Sequence, residues 1–279
     1  MKDLSNENII HIKKDGLEYI KFKRLLEYEN IEHSFTLKPL DFAGNHTYEE
    51  KKEEVENNFK VLAKEFGFKV ENICRPKQTH TDRVEKVEDA DEGIYLSKFD
   101  NVDGFVTDKE NKVLMMSFAD CTPLLFYDPV KKVIANTHSG WKGTLQSIGV
   151  KTVEKMQKEY GCNPKDIICC IGPHIRKCHF EVDEDVKDLF YNEFKSKINI
   201  EEGIESNKEK NKYYIDTAKI NKQILLNIGL KEENIIDSNI CTVCNQDICH
   251  SYRAEKELSG RAVTIIYLNK GENRCYQKQ

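Results

Sequence analysis

The chain has no run approaching the roughly 18 consecutive apolar residues that a membrane helix requires, because charge interrupts it from the first residues onward. The opening MKDLSNENIIHIKKDG carries lysine, aspartate and glutamate and no apolar core, so no secretory signal is expected there. Neither sign of charge dominates. With 43 basic and 48 acidic side chains, the formal net charge of -5 makes too weak a field to favour nucleic acid or an anionic membrane as a partner. An internal repeat and a Pro/Gly/Ser-rich linker are also missing, so one domain over residues 1–279 is expected, in the cytoplasm, with enough chain to bury a core unaided.

Cysteine, in contrast, is plentiful, with ten in the chain. In the reducing compartment expected here these are thiols or metal ligands rather than disulfides. Cys169 and Cys170, inside DIICCIG, suit a buried strand as small hydrophobes.

The hydrophobic pattern alternates strands with helices, which predicts an α/β class. LEYIKFK (17–23) and IEHSFTL (31–37) read as strands. Val55, Phe59, Leu62 and Phe66 recur at helical spacing, with Thr47 and Glu50 placed as a capping box and Gly67 as the stop. Residues 83–87 read as a strand, DGFVTDKENKVLMMSF as two strands around a polar turn, and 165–172 as another buried strand. Further helices are expected over 145–160, ending at Gly161, around Val186, Leu189, Phe190 and Phe194, and after a cap at Asp216. The polar, aperiodic segment 196–211 reads as a surface loop, and 262–268 as a terminal strand.

The chain is organised around SFADCTPLLFYDPVKKVIANTHSGWKGT, residues 117–144. Residues 123–127 and 132–137 read as two buried strands joined by a turn at Asp128-Pro129, which brings Cys121 and His138 to ends that can lie side by side. The lone tryptophan, Trp141, stands between Gly140 and Gly143, where the backbone is able to approach another group closely. His80, in the approach to the 83–87 strand, is a third candidate. Two histidines and a cysteine satisfy a catalytic zinc, which takes three protein ligands and leaves one position open. The bland alternative is a buried thiol and two polar loop histidines.

CTVCNQDICH offers a second cluster, Cys241, Cys244, Cys249 and His250, whose CxxC is half of a structural zinc site without the spacing of a ribbon or finger. The adjacent pair Cys178-His179 makes a nucleophile and base only if the fold brings the base to the sulfur, and otherwise is a packed loop. Arg253 and Arg261 flank a charged turn and suit bidentate binding of phosphate or carboxylate, or simple solvation.

QTH followed by Val84, DGFVTD, SFADCTPLLFYDP, HSGWKGT, CIGPHIRKCHFEV and the terminal SYR and SGR together resemble the bacterial purine nucleoside phosphorylase family. That family has also been labelled multicopper polyphenol oxidase or laccase-domain proteins, and includes a peptidoglycan-editing member. The resemblance runs from about His33 to Leu268. It implies packed mixed sheets flanked by helices, a four-layer α/β (α+β) architecture like that of cysteine-hydrolase toxins. It also implies Zn2+ held by His80, Cys121 and His138. The implied chemistry is phosphorolysis of adenosine, inosine, guanosine and methylthioadenosine with deamination of adenosine, so the partners are purine nucleosides and phosphate; in a mechanism consistent with both reactions, Arg253 and Arg261 are the expected phosphate holders. Eight histidines are too few for a multicopper oxidase, although thiolate and imidazole would bind copper in vitro.

The chain departs from the family pattern at 37–42, LKPLDF, where an arginine and a glycine pair are common, and at Lys142, where arginine is common and where lysine makes a phosphate contact a point charge. Two other classes compete. In one, Cys121 is a nucleophile activated by His138 in a metal-independent hydrolase acting on a peptide or cell-wall precursor. In the other, the protein is a non-catalytic module that docks a partner through the 196–211 segment.

Overall fold

A computed structural model describes residues 2–43, 51–89, 91 and 97–269. The proposed capping box at Thr47 and Glu50 lies outside the described residues.

The first sheet begins with a hairpin, β1 (Ile9–Lys14) and β2 (Leu17–Phe22), and a single helical turn, α1 (Lys23–Leu26), follows it. The hairpin turn, Asp15-Gly16, has positive φ at both residues, the geometry that lets a two-residue turn follow the twist of its strands. The sheet continues through β3 (Ile31–Thr36), β15 (Ala262–Leu268), β7 (Val113–Phe118) and β4 (Ile73–Cys74). The second sheet runs β14 (Ile235–Asp237), β10 (Ile168–Ile171), β8 (Thr122–Asp128), β9 (Val133–Ser139), β6 (Gly104–Thr107) and β5 (Val84–Lys86). Both sheets mix parallel and antiparallel neighbours.

Strand alternation sorts the side chains into layers. Leu114, Met116 and Ile266 from the first sheet meet Leu125, Ile134 and Cys170 from the second in the core between them. The opposite face of the first sheet, with Met115, Val263 and Ile265, packs on Val55, Phe59, Leu62 and Phe66 of α2 (Lys52–Phe66). The outer face of the second sheet, with Leu124, Phe126, Ala135 and Cys169, packs on Val153 and Met156 of α4 (Ile148–Tyr160) and Ala218 and Leu225 of α6 (Thr217–Asn227). The result is helix, sheet, sheet, helix: the mixed α/β, four-layer arrangement expected. One polar link crosses the central core, where Thr264 Oγ1 donates to Asn136 Oδ1 at 2.8 Å and Asn136 Nδ2 donates to the Leu114 carbonyl at 2.9 Å.

Local signals fix several boundaries. Gly67 and Gly161 close α2 and α4 in the left-handed conformation, and the Asp216 carboxylate accepts from Lys219 N to cap α6. The helix expected over 145–160 is two helices, α3 (Trp141–Leu145) and α4, because Ser147 adopts φ +58 between them. Segment 196–211 is not simply a loop. It holds a 3-10 turn, Ile200–Gly203, and β12 (Ile204–Asn207), which with β13 (Lys212–Ile215) and β11 (Glu181–Val182) forms a third sheet. Ile200 and Ile215 bury themselves against Phe190 and Phe194 of α5 (Glu184–Phe194). Glu205 and Ser206 face solvent on this edge strand, which erased the alternation that would have betrayed it.

Candidate active site

The β8–β9 ladder pairs Thr122 with Ser139 and Pro123 with His138. Cys121, one residue ahead of β8, therefore reaches the same end of the sheet as His138. His138 follows Ile134 and Asn136 on the face turned to the first sheet, and its ring lies 5.4 Å from that of Phe118. The site thus opens where the central core ends.

His80 arrives from the other side, on a loop organised by Asp103. This fully buried carboxylate accepts hydrogen bonds from the backbone N–H groups of Thr79, His80 and Thr81 at 3.2, 3.2 and 2.8 Å, and from Thr81 Oγ1 at 2.9 Å. The positive φ of His80, +64, curls successive N–H groups into such an anion nest. Asp103 Oδ1 also accepts from His138 Nδ1 at 2.7 Å, which leaves Nε2 of that ring for the site. One carboxylate therefore orients both histidines. It is the first residue of the DGFVTD motif, and nothing in composition or spacing gave it a role.

His80 Nε2 lies 3.6 Å from Cys121 Sγ, and one ligand atom from each of His80, Cys121 and His138 falls within 4.8 Å of the other two. A tetrahedral ion with Zn–S of roughly 2.3 Å and Zn–N of roughly 2.0–2.1 Å spaces a sulfur and a nitrogen ligand about 3.6 Å apart. The donor types fit zinc, as does the spacing of His80 from Cys121. Gly140 permits the convergence: a Cβ there would stand 2.7 Å from His80 Cδ2 and 3.1 Å from Cys121 Sγ. Its φ of -64 is ordinary, so glycine is needed for close approach and not for a turn.

Burial alone would raise the Cys121 thiol, but the neighbouring imidazoles, His138 foremost, outweigh it and lower its pKa to about 6. Burial would depress His138. The Cys121 thiolate and the Asp103 carboxylate overcome that and raise it to about 10. Asp103 is opposed by its own burial and held below the usual carboxylate range chiefly by its hydrogen bond with His138. In chelator-treated protein, iodoacetamide should therefore alkylate Cys121 with a midpoint near pH 6, against the ordinary thiol value of 9.0, and restored metal should protect it. A midpoint near 9 would mean that no such thiolate–imidazolium pair exists.

A cleft of about 870 Å³ opens in front of these residues. Phe42, Trp141, Ile175 and Phe180 give it apolar walls, and Arg75, Arg253 and Arg261 line it with positive charge. Arg253 Nη1 donates to the His179 carbonyl at 2.8 Å, and Arg261 Nη1 to the carbonyls of Ser259 and Gly260 at 2.9 Å each, so both guanidiniums are fixed by backbone. Arg75, unremarked in the sequence, is buried with Nη2 donating to Ser117 Oγ at 2.6 Å. Asp120 also lines the cleft, with its oxygens accepting from Thr242 Oγ1 at 2.5 Å and Arg253 N at 2.6 Å. It braces the wall. The divergent 37–42 segment still reaches the cleft through Phe42, whereas Lys142 lies over the Trp141 ring, 5.6 Å from its centroid, and is not part of the lining.

The second expected cluster is differently composed. Cys249 is buried in the central core and His250 Nε2 donates to the Leu40 carbonyl, so neither joins Cys241 and Cys244. Cys178 and His179 do.

Residues 40–269 match the family described as multi-copper polyphenol oxidoreductase laccase. The chain belongs to this family. It is 33% identical over 228 residues to the Bacillus subtilis protein named purine nucleoside phosphorylase YlmD, covering 80% of each chain. With a protein named adenosine deaminase RL5, from an unknown prokaryotic organism, it shares 29% identity over 211 residues, 74% of this chain and 79% of the other. The crystal structure of Bacillus licheniformis hypothetical protein YfiH superposes with a TM-score of 0.80 at 29% identity, covering 90% of this chain and 96% of that one. Family membership and the donor set both point to a metal. Among the described residues, no helix is long and apolar enough to cross a membrane.

Proposed function

We propose that this chain is a zinc-dependent purine nucleoside enzyme that cleaves adenosine, inosine, guanosine and methylthioadenosine with phosphate and also deaminates adenosine. The observation that carries the reading is the convergence of His80, Cys121 and His138 at the base of a cleft with aromatic walls and cationic lining. The names of the two relatives, a phosphorylase and a deaminase, support the same pair of reactions.

His80, Cys121 and His138 would hold the ion, with Asp103 fixing the His80 loop and the His138 tautomer. A bound zinc ion supplies Lewis acidity and lowers the pKa of a coordinated water to about 7. Phe42 and Phe180 offer faces for a flat base, and the arginines offer donors for phosphate. In phosphorolysis a phosphate oxygen bonds to C1′ of the ribose, the bond from C1′ to the base breaks, and the base leaves with a proton. Deamination replaces the 6-amino group by oxygen from water and releases ammonia.

Purified, metal-quantified protein should convert adenosine to inosine without phosphate and release adenine only when phosphate is added. Zinc-loaded protein that does neither would sink the proposal. Arg253→Ala or Arg261→Ala should raise the KM for phosphate roughly 10- to 100-fold, the worth of a charged hydrogen bond, and change deamination far less. Equal loss in both reactions would remove the phosphate-holding role.

One observation favours a second reading. Cys121, His138 and Asp103 form a thiolate, an imidazolium and an orienting carboxylate, the series that a metal-independent cysteine hydrolase uses. Activity toward a peptide or cell-wall precursor that survives complete zinc removal and dies on alkylation would establish it.

A further inference from the structure

On the outer side of the cleft wall, a second set of soft ligands is assembled from two distant segments. Cys178 and His179 follow a turn in which the His179 N–H donates to the Arg176 carbonyl at 2.9 Å. Cys241 and Cys244, a CxxC pair, lie on the segment after β14, which is laid beside the first by hydrogen bonds from His174 N to the Ile240 carbonyl and from Thr242 N to the His174 carbonyl. Arg176 pins the same two segments by donating Nη1 to both oxygens of Asp237, at 2.7 and 2.9 Å.

His179 Nδ1 lies 3.2, 3.7 and 3.5 Å from the sulfurs of Cys178, Cys241 and Cys244, and the sulfurs of Cys178 and Cys244 are 3.7 Å apart. All four ligand atoms fall within 4.8 Å of one another. A tetrahedral zinc ion places two sulfur ligands roughly 3.8 Å apart and a sulfur and a nitrogen roughly 3.6 Å apart, from the same bond lengths that apply to the first site. The four spacings lie close to the edges of that tetrahedron, the Cys178–His179 one being the shortest at 3.2 Å. A disulfide needs sulfurs about 2.05 Å apart, and a hydrophobic core would not gather three thiols around an imidazole.

We propose that Cys178, His179, Cys241 and Cys244 form a second metal centre, a closed Cys3His site for Zn2+ that ties the two segments together behind the cleft. Three thiolates and one imidazole select zinc over harder cations. With four protein ligands no position remains for substrate, so the centre is structural. Cys178 and Cys244 are exposed, which gives an ion a path in. The structural effect reaches the cleft through His179, whose carbonyl accepts from Arg253, and through Thr242, which donates to Asp120 beside Cys121. The centre stands on its own geometry and is independent of what reaction the first site performs.

The test is metal counting on full-length protein purified without chelator. Wild-type protein should hold about two zinc ions per chain. The His80→Ala/His138→Ala variant should keep about one, and its Co2+-substituted form should show the strong near-ultraviolet charge-transfer absorption of several thiolates with tetrahedral d–d bands. Cys178→Ser/Cys244→Ser should lose that ion and its spectrum while keeping the first. The His80→Ala/His138→Ala variant keeps the test decisive if the cysteine variant fails to fold. A zinc-free His80→Ala/His138→Ala protein, or a Cys178–Cys244 disulfide trapped by immediate alkylation of the cell lysate, would overturn the proposal.

Discussion

Cys121→Ser should lower kcat/KM for both phosphorolysis and deamination by more than about 100-fold and release the ion from the first site while leaving the fold intact. Partners one shell out from a metal already cost roughly 10–100-fold when removed, and the thiolate is a direct ligand in the proposed centre. The exchange adds no volume at a half-buried position next to the end of β8, so the strand pairing should hold. Metal analysis and steady-state kinetics on the same sample check both halves of the expectation. Full activity at full zinc occupancy would refute it. His80→Ala separates the metal reading from the thiol reading, because a Cys121–His138–Asp103 series has no need of His80. Loss of both zinc and turnover supports the metal centre, whereas a chelator-resistant variant within about tenfold of wild type supports the thiol hydrolase.

Asp103→Asn should weaken zinc binding at the first site about 10- to 100-fold, measured by competition with a chromophoric chelator. The amide can still accept from His138 Nδ1, but it loses the charge that holds the imidazole and directs an NH2 group toward donors that need an acceptor. Stability should carry a matching signature. Because the folded Asp103 is held below its ordinary range, its contribution is present above the unfolded carboxylate value and lost as pH falls through the lower folded one. The variant should therefore lose stability at neutral pH and show a shallower acid limb. A wild-type zinc affinity in Asp103→Asn would mean that the histidines are oriented by something else.

The fold was largely legible because its layers leave clear periodicities. The long α2 shows one apolar face, and β8 and β15 are largely apolar runs, as is the first half of β9, because both faces of these strands are covered. The Asp15-Gly16 turn was an available hairpin signal, and with it β1 could have been read. The edge strand β12 was hidden because half of its residues face water. In the site, strand-end logic brought Cys121 and His138 together, the approach to the 83–87 strand marked His80 as the third candidate, and motif resemblance implied one ion shared by all three. Asp103 and Arg75 escaped because a buried charge announces itself only through its partners, and those partners come from separate loops and strands. Cys178 and His179 were set apart from Cys241 and Cys244 for the same reason: some sixty residues of chain separate the two halves, and the contacts that close that distance, the β-bridge between His174 and Cys241 and the Arg176–Asp237 pair, are tertiary.

The order of strands in the first sheet also bears on biosynthesis. β15 is the last strand in sequence among the described residues, yet it lies between β3 and β7 and supplies hydrogen bonds to both. A nascent chain that has not yet emerged past Ala262 exposes two unsatisfied strand edges in the middle of its future core, and it depends on slow, long-range pairing to close them. Ribosome-bound intermediates should consequently be targets for holdase chaperones, and the cleft that Ser259 and Arg261 line should mature only after β15 has been delivered between its neighbours.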